Sequence, residues 1–148
     1  HRDHPLALEH DIPLERLVGE PFIMREPGSG IRDKVLKSFE DAGLKPHVRM
    51  ELGSNEAIKH AVYGKLGVSV LSLHTLSQET AHSQLCILDV QGFPLERQWH
   101  VAHPKGKELS VVARAFLDFL DEEAEGLRRD LERTYTRLTR RRDSVAKA

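Results

Sequence analysis

The sequence has one cysteine, no long apolar run and almost no net charge, and each shortage removes a class of function. Cys86 stands alone, so no intramolecular disulfide can form and a reducing compartment, the cytoplasm, is the simpler setting. One cysteine cannot build a Cys-rich structural zinc site either. No stretch approaches the roughly 20 apolar residues of a membrane span, and the first residues do not have the pattern of a signal peptide. A formal net charge of -1 gives no general attraction to nucleic acid or acidic lipid. Catalytic and phosphate-loop signatures are missing as well. There is no Gly-x-Ser-x-Gly and no Gly-Lys-Ser/Thr, and Asp33 stands where a Gly-x-Gly-x-x-Gly fingerprint needs its third glycine. Of the nine histidines, His1 and His4, and His100 and His103, are three apart, which puts each pair on opposite faces of a strand. No metal, cofactor or catalytic residue is expected.

What is present is ordinary globular material. The chain has 148 residues, 39% hydrophobic and 30% charged, enough for one domain with a core. It starts at His1 without Met, inside what reads as an extended segment, as a fragment would. The short run Phe22–Arg25 reads as a strand. A helix is expected over 31–42, with Ile31, Val35, Phe39 and Ala42 on one face and Gly43 as its stop. Val48–Leu52 alternates as a second strand, and 55–66 reads as a second helix with Gly67 as its C′ residue. Val68–Ser72 is the expected third strand. Together these make a β-α-β-α-β unit with a parallel sheet, the pattern of an α/β fold. Later, 85–90 and 97–102 read as two strands, and a helix is expected from Ser110. Cys86 falls inside the first of these and reads as a small core residue.

The chemistry concentrates at two turns. Glu26-Pro27-Gly28-Ser29-Gly30-Ile31-Arg32 leads from the first strand into the first helix, and Gly53-Ser54-Asn55-Glu56 does the same for the second. A strand-to-helix turn needing positive φ at glycine explains the first, and ordinary N-capping explains Ser54 and Asn55. The same order also leaves backbone N–H groups free at the carboxyl ends of neighbouring strands, where open α/β sheets bind ligands and helix dipoles favour anions. Glu26, Gly28, Ser29, Gly30, Arg32, Gly53, Ser54 and Asn55 are therefore the candidate ligand-binding residues. The end of the chain separates into a mostly acidic stretch, 118–125, and a strongly basic one, 128–142. Leu117, Leu120, Ala124, Leu127, Leu131 and Leu138 keep a broken 3/4 spacing, consistent with an overrunning helix that pairs weakly or with a solvated tail.

These residues also carry a resemblance. Arg25–Arg32, Gly53–Lys59, Gly64–Ser72, His4-Pro5-Leu6-Ala7 and Gly92–Trp99 resemble the effector-binding domain of LysR-type transcriptional regulators, especially regulators of carbon-fixation (RuBisCO) operons, over about residues 4–122. The resemblance implies a periplasmic-binding-protein-like type II effector domain, its second subdomain complete and its first truncated. Residues 1–20 would be the crossover between subdomains and 21–73 subdomain II. Residues 74–124 would return to subdomain I with two strands and a helix, and 125–148 would be a basic helical or disordered tail outside the family pattern. It further implies a homo-oligomeric regulator that senses a small anionic metabolite, a phosphorylated sugar or related carboxylate. DNA would be contacted only through a helix-turn-helix with no counterpart here, and no membrane would be involved. A solute-binding protein or enzyme on the same scaffold is the rival expectation.

Overall fold

The computed structural model describes residues 1–76, 84–98 and 100–145, with side chains described through residue 136. Its sheet has two parallel strands, Pro21–Arg25 (β1) and His47–Leu52 (β2), with Pro21 opposite His47 and Arg25 opposite Leu52. Helix Gly30–Asp41 (α1) follows β1, and Asn55–Tyr63 (α2) follows β2. Successive residues of β1 point to opposite faces, and both faces are covered. Phe22 and Met24 join Val35 and Phe39 of α1 in one core, together with Leu6, Ile12, Leu17, Val68 and Val90. Ile23 points the other way and packs with Ile58 and Ala61 of α2. Phe22 meets Phe39 edge to face with ring centroids 5.9 Å apart, a favoured aromatic arrangement. β1 is therefore buried throughout its middle, as a covered parallel strand should be, whereas β2 alternates between exposed and half-buried.

Both helices end in the same capping pattern on different residues. At the end of α1, Gly43 N–H donates to Glu40 and Leu44 N–H to Phe39, with Gly43 left-handed at φ 69. At the end of α2, Lys65 N–H donates to Val62 and Leu66 N–H to Ala61, with Lys65 left-handed at φ 57. These are Schellman caps. The second corrects the sequence reading, in which Gly67 held the C′ place. Gly67 has another use: a Cβ there would lie 2.0 Å from the Pro21 carbonyl oxygen. Only a residue without a side chain lets this segment close against β1.

The expected third strand contracts to one residue. Val68 N–H donates to the Pro21 carbonyl at 2.9 Å and Ile23 N–H donates to the Val68 carbonyl at 2.8 Å, a parallel bridge on the edge of β1 away from β2. A continuing parallel ladder would next bring the Val70 N–H to the Ile23 carbonyl. The Ser69 hydroxyl takes that carbonyl instead, at 2.7 Å, a side-chain bond competing with the ladder. Of the strands read at 85–90 and 97–102, the first contracts to one bridge and the second forms none among its described residues. Val90 bridges Ile12, and the other described residues of both segments pair in no ladder. Trp99 lies outside the described residues. After a short helix at Leu73–Leu76 (α3), a long helix runs from Val111 to Val145 (α4). Ser110 caps it, its hydroxyl accepting the Ala113 N–H at 3.2 Å. Val112, Phe116, Phe119 and Leu127 of α4 are exposed. No described helix is long and apolar enough to cross a membrane.

Candidate functional site

Both turns stand at the carboxyl ends of β1 and β2, side by side because the strands are parallel and adjacent. Glu26-Pro27-Gly28-Ser29 closes as a β-turn, with the Ser29 N–H donating to the Glu26 carbonyl at 3.2 Å. Pro27 presets the first central position, and Gly28 takes the second at φ 88, the signature of a type II turn. Ser29 then N-caps α1, but its hydroxyl makes no capping hydrogen bond. At the second turn the Ser54 hydroxyl accepts the Ala57 N–H at 3.4 Å, an ordinary side-chain cap. Gly53 needs no special backbone, and a Cβ there would meet nothing within 4 Å.

One side chain joins the two turns. The Arg25 guanidinium donates through Nε and Nη2 to the two carboxylate oxygens of Glu26, at 2.7 and 2.8 Å. Its Nη1 donates to Asn55 Oδ1, the first residue of α2, at 2.9 Å. The pair is bidentate, the strong form of charge-assisted contact. The hydrogen bond from Arg25 holds the Glu26 carboxyl below its ordinary range. The same bond raises the guanidinium against the opposing effect of burial. Arg25 is the more enclosed partner, its side chain 19% exposed against 41% for Glu26.

Arg32, in the first turn of α1, reaches back across the strand ends. Its Nη1 donates to the Arg25 carbonyl at 2.7 Å and pairs with Glu51 Oε1 of β2 at 2.6 Å. Two guanidiniums thus sit at the carboxyl end of the sheet, each matched by a more exposed carboxylate. A third approaches from outside the βα units: a Cβ on Gly30 would lie 3.1 Å from Arg97 Nη2. Lys34 Nζ donates to the Glu96 carbonyl. An open groove lined by Lys34, Glu96, Arg97, Gln98 and His100 runs alongside.

Of the residues singled out in the sequence, Glu26 and Asn55 are drawn together through Arg25, and Arg32 is held close by. Gly28, Ser29 and Gly30 shape the start of α1, Ser54 is engaged in capping, and Gly53 makes no described side-chain-dependent contact. Arg25, Glu51 and Arg97 were missed. For Arg25 a signal existed, a charge closing an otherwise apolar strand. For Arg97 there was none, because its place against Gly30 depends on a segment 67 positions along the chain. Chemically, the arrangement can receive a small anion: backbone N–H groups of two helix starts with guanidiniums between them.

Residues 1–125 match the LysR substrate binding domain family. The HTH-type transcriptional activator CmpR of Synechocystis sp. is 55% identical over 119 residues, 80% of this chain and 39% of that protein. A RuBisCO operon transcriptional regulator of Acidithiobacillus ferrooxidans is 52% identical over 118 residues, 80% of this chain and 38% of the relative. Among solved structures, the regulatory domain of Synechocystis CcmR in complex with 2-PG aligns with a TM-score of 0.77 at 54% identity, covering 80% of this chain and 57% of that one. The chain spans about two fifths of the length of the curated relatives it matches.

Proposed function

The chain belongs to the LysR substrate binding domain family, with the periplasmic-binding-protein-like type II fold of its structural neighbours, and on that premise we propose that it senses a small anionic metabolite for a transcriptional regulator. Residues 21–73 act as its second subdomain and carry one wall of the effector cleft. Glu26, Gly28, Ser29, Gly30 and Arg32 line that wall with Gly53, Ser54 and Asn55. The chain works by binding rather than catalysis, in the cytoplasm and within a homo-oligomer. DNA contact is made by a helix-turn-helix outside these 148 residues. Binding stabilises one placement of the subdomains and shifts the population of regulator states.

The observation that carries this reading is the pairing of two helix starts at adjacent parallel strand ends, with Arg25 bonded to a residue of each turn. An anion bound there meets backbone donors, two helix dipoles and half-buried positive charge together. The CcmR regulatory domain was solved with 2-PG, so 2-phosphoglycolate is the first compound to try, followed by sugar phosphates and small dicarboxylates. At a hundredfold excess over Kd a ligand stabilises the folded state by about 2.7 kcal/mol. For a chain of this size that raises Tm by roughly 5–10 °C. A panel that leaves Tm unmoved sinks the proposal. A shift that survives Ser54→Ala combined with Asn55→Ala sinks the site assignment.

A further inference from the structure

We propose that Arg25 is the group that receives the ligand's anionic oxygens, and that Glu26 is a resident carboxylate occupying its place until the ligand displaces it. This rests on the anion-sensing reading above and reverses the part Glu26 plays in it, from ligand contact to internal competitor. Glu26 engages Nε and Nη2 of Arg25 with both oxygens, the planar two-oxygen grip that a carboxylate or phosphate makes on a guanidinium. A ligand offering the same pair of oxygens meets a receptor already shaped for it.

The two partners are unequally tethered. Arg25 lies on β1, its side chain 19% exposed, and Asn55 Oδ1 holds Nη1 from the far side at 2.9 Å. Glu26 sits in the turn with its side chain 41% exposed; besides Arg25, its carboxylate takes a hydrogen bond from its own backbone N–H, and it can swing into water without moving the backbone. The hydrogen bond that closes the turn uses the Glu26 carbonyl, not its carboxylate. Release of the carboxylate therefore leaves both the turn and the guanidinium in position. Arg32 differs, because its guanidinium also holds the Arg25 carbonyl and so ties the strand end itself. The exchange makes the ligand bridge β1 and the start of α2 through Arg25 and Asn55. Glu26 sets how strongly a ligand must bind to do so, and repels any ligand that cannot exceed its own grip.

Calorimetric titration with 2-phosphoglycolate of the wild-type chain, Glu26→Gln, Arg25→Gln and the double variant tests the exchange, with circular dichroism confirming folding of each. Removing the competitor should tighten binding about fivefold, the scale of a partly exposed ion pair. Arg25→Gln should weaken binding at least tenfold, and adding Glu26→Gln to it should restore nothing. If the wild type binds while Glu26→Gln binds equally or more weakly, the competitor role is wrong and anion sensing stands. Wild-type-like binding by a folded Arg25→Gln also overturns it. If neither wild type nor Glu26→Gln binds any ligand of the panel, the sensing proposal itself fails, and this inference with it.

Discussion

The two βα units share a plan and divide its labour differently. Each runs strand, Gly-Ser turn, helix and Schellman cap. In the first unit the backbone shapes the turn: Pro27 and Gly28 bend it, and the Ser29 hydroxyl makes no capping bond. In the second, side chains do the work. Ser54 caps the helix, and Asn55 reaches across to hold Arg25. Near-identical tripeptides thus serve opposite ends. A turn built by backbone leaves the Ser29 hydroxyl outside the cap, and a turn built by side chains positions the neighbouring charge.

The largest expected effect removes the strand on which both units depend. Gly67→Ala puts a Cβ 2.0 Å from the Pro21 oxygen, a clash against backbone that only a shift of β1 relieves. A loss of about 3 kcal/mol or more is expected, read as a fall in urea midpoint at constant m, and a loss under 1 kcal/mol would contradict the close approach. Next comes the contrast between the two turn glycines. Gly28→Ala forces a side chain into the left-handed region and should cost about 1–2 kcal/mol. Gly53→Ala, with open space and no positive φ, should lie within about 0.5 kcal/mol of wild type. Equal losses at the two positions would erase the proposed difference between the turns.

A smaller step separates the serines. Ser54→Ala removes a used cap and should cost about 1 kcal/mol, whereas Ser29→Ala removes a hydroxyl with no capping bond and should cost less than about 0.5 kcal/mol. Thermal and urea denaturation of both variants measure the gap. The reverse order would show that the first turn is the side-chain-built one.

How far the sequence reveals this depends on the range of the interaction. The strands β1 and β2, the helices α1 and α2 and their parallel order follow from apolar spacing and from Gly43 and Ser54, signals that act within a turn or two. The truncation of the third strand does not, because it depends on the Ser69 hydroxyl finding a carbonyl 46 residues away. The C′ position of α2 was misread for a related reason. Glycine is the usual left-handed residue, but Gly67 is required by its contact with Pro21, and Lys65 takes the strained place. At the site, the turns were legible as turns, while the ion pairs that fill them were not. Arg32 pairs with Glu51, 19 positions on, and Arg97 comes against Gly30 from 67 positions away, and no local pattern announces such partners.

The smallest effect is the titration of the carboxyl that faces Arg25. Ser54 and Asn55, which cap α2 and hold Arg25, are neutral, whereas the first turn contains the Arg25–Glu26 pair. Glu26 is held below its ordinary value by the hydrogen bond from Arg25. A carboxyl whose folded pKa is depressed contributes stability above its unfolded pKa, near about 4.3 for glutamate, and that contribution disappears as pH falls through the lower folded value. Arg25, raised by the same bond, stays charged throughout this window and adds no slope of its own. Asp3, lowered by its bond to Lys65, titrates in the same acidic range, so bulk stability cannot assign the effect. Residue-resolved carboxyl NMR can: Glu26 should titrate below the usual glutamate range in the wild type and move up toward it in Arg25→Gln, where only the hydrogen bond from its own backbone N–H still lowers it, with Asp3 unmoved. A Glu26 titration that is the same with and without Arg25 would mean that the pair does not hold in solution, and the asymmetry between the two turns would lose its electrostatic half.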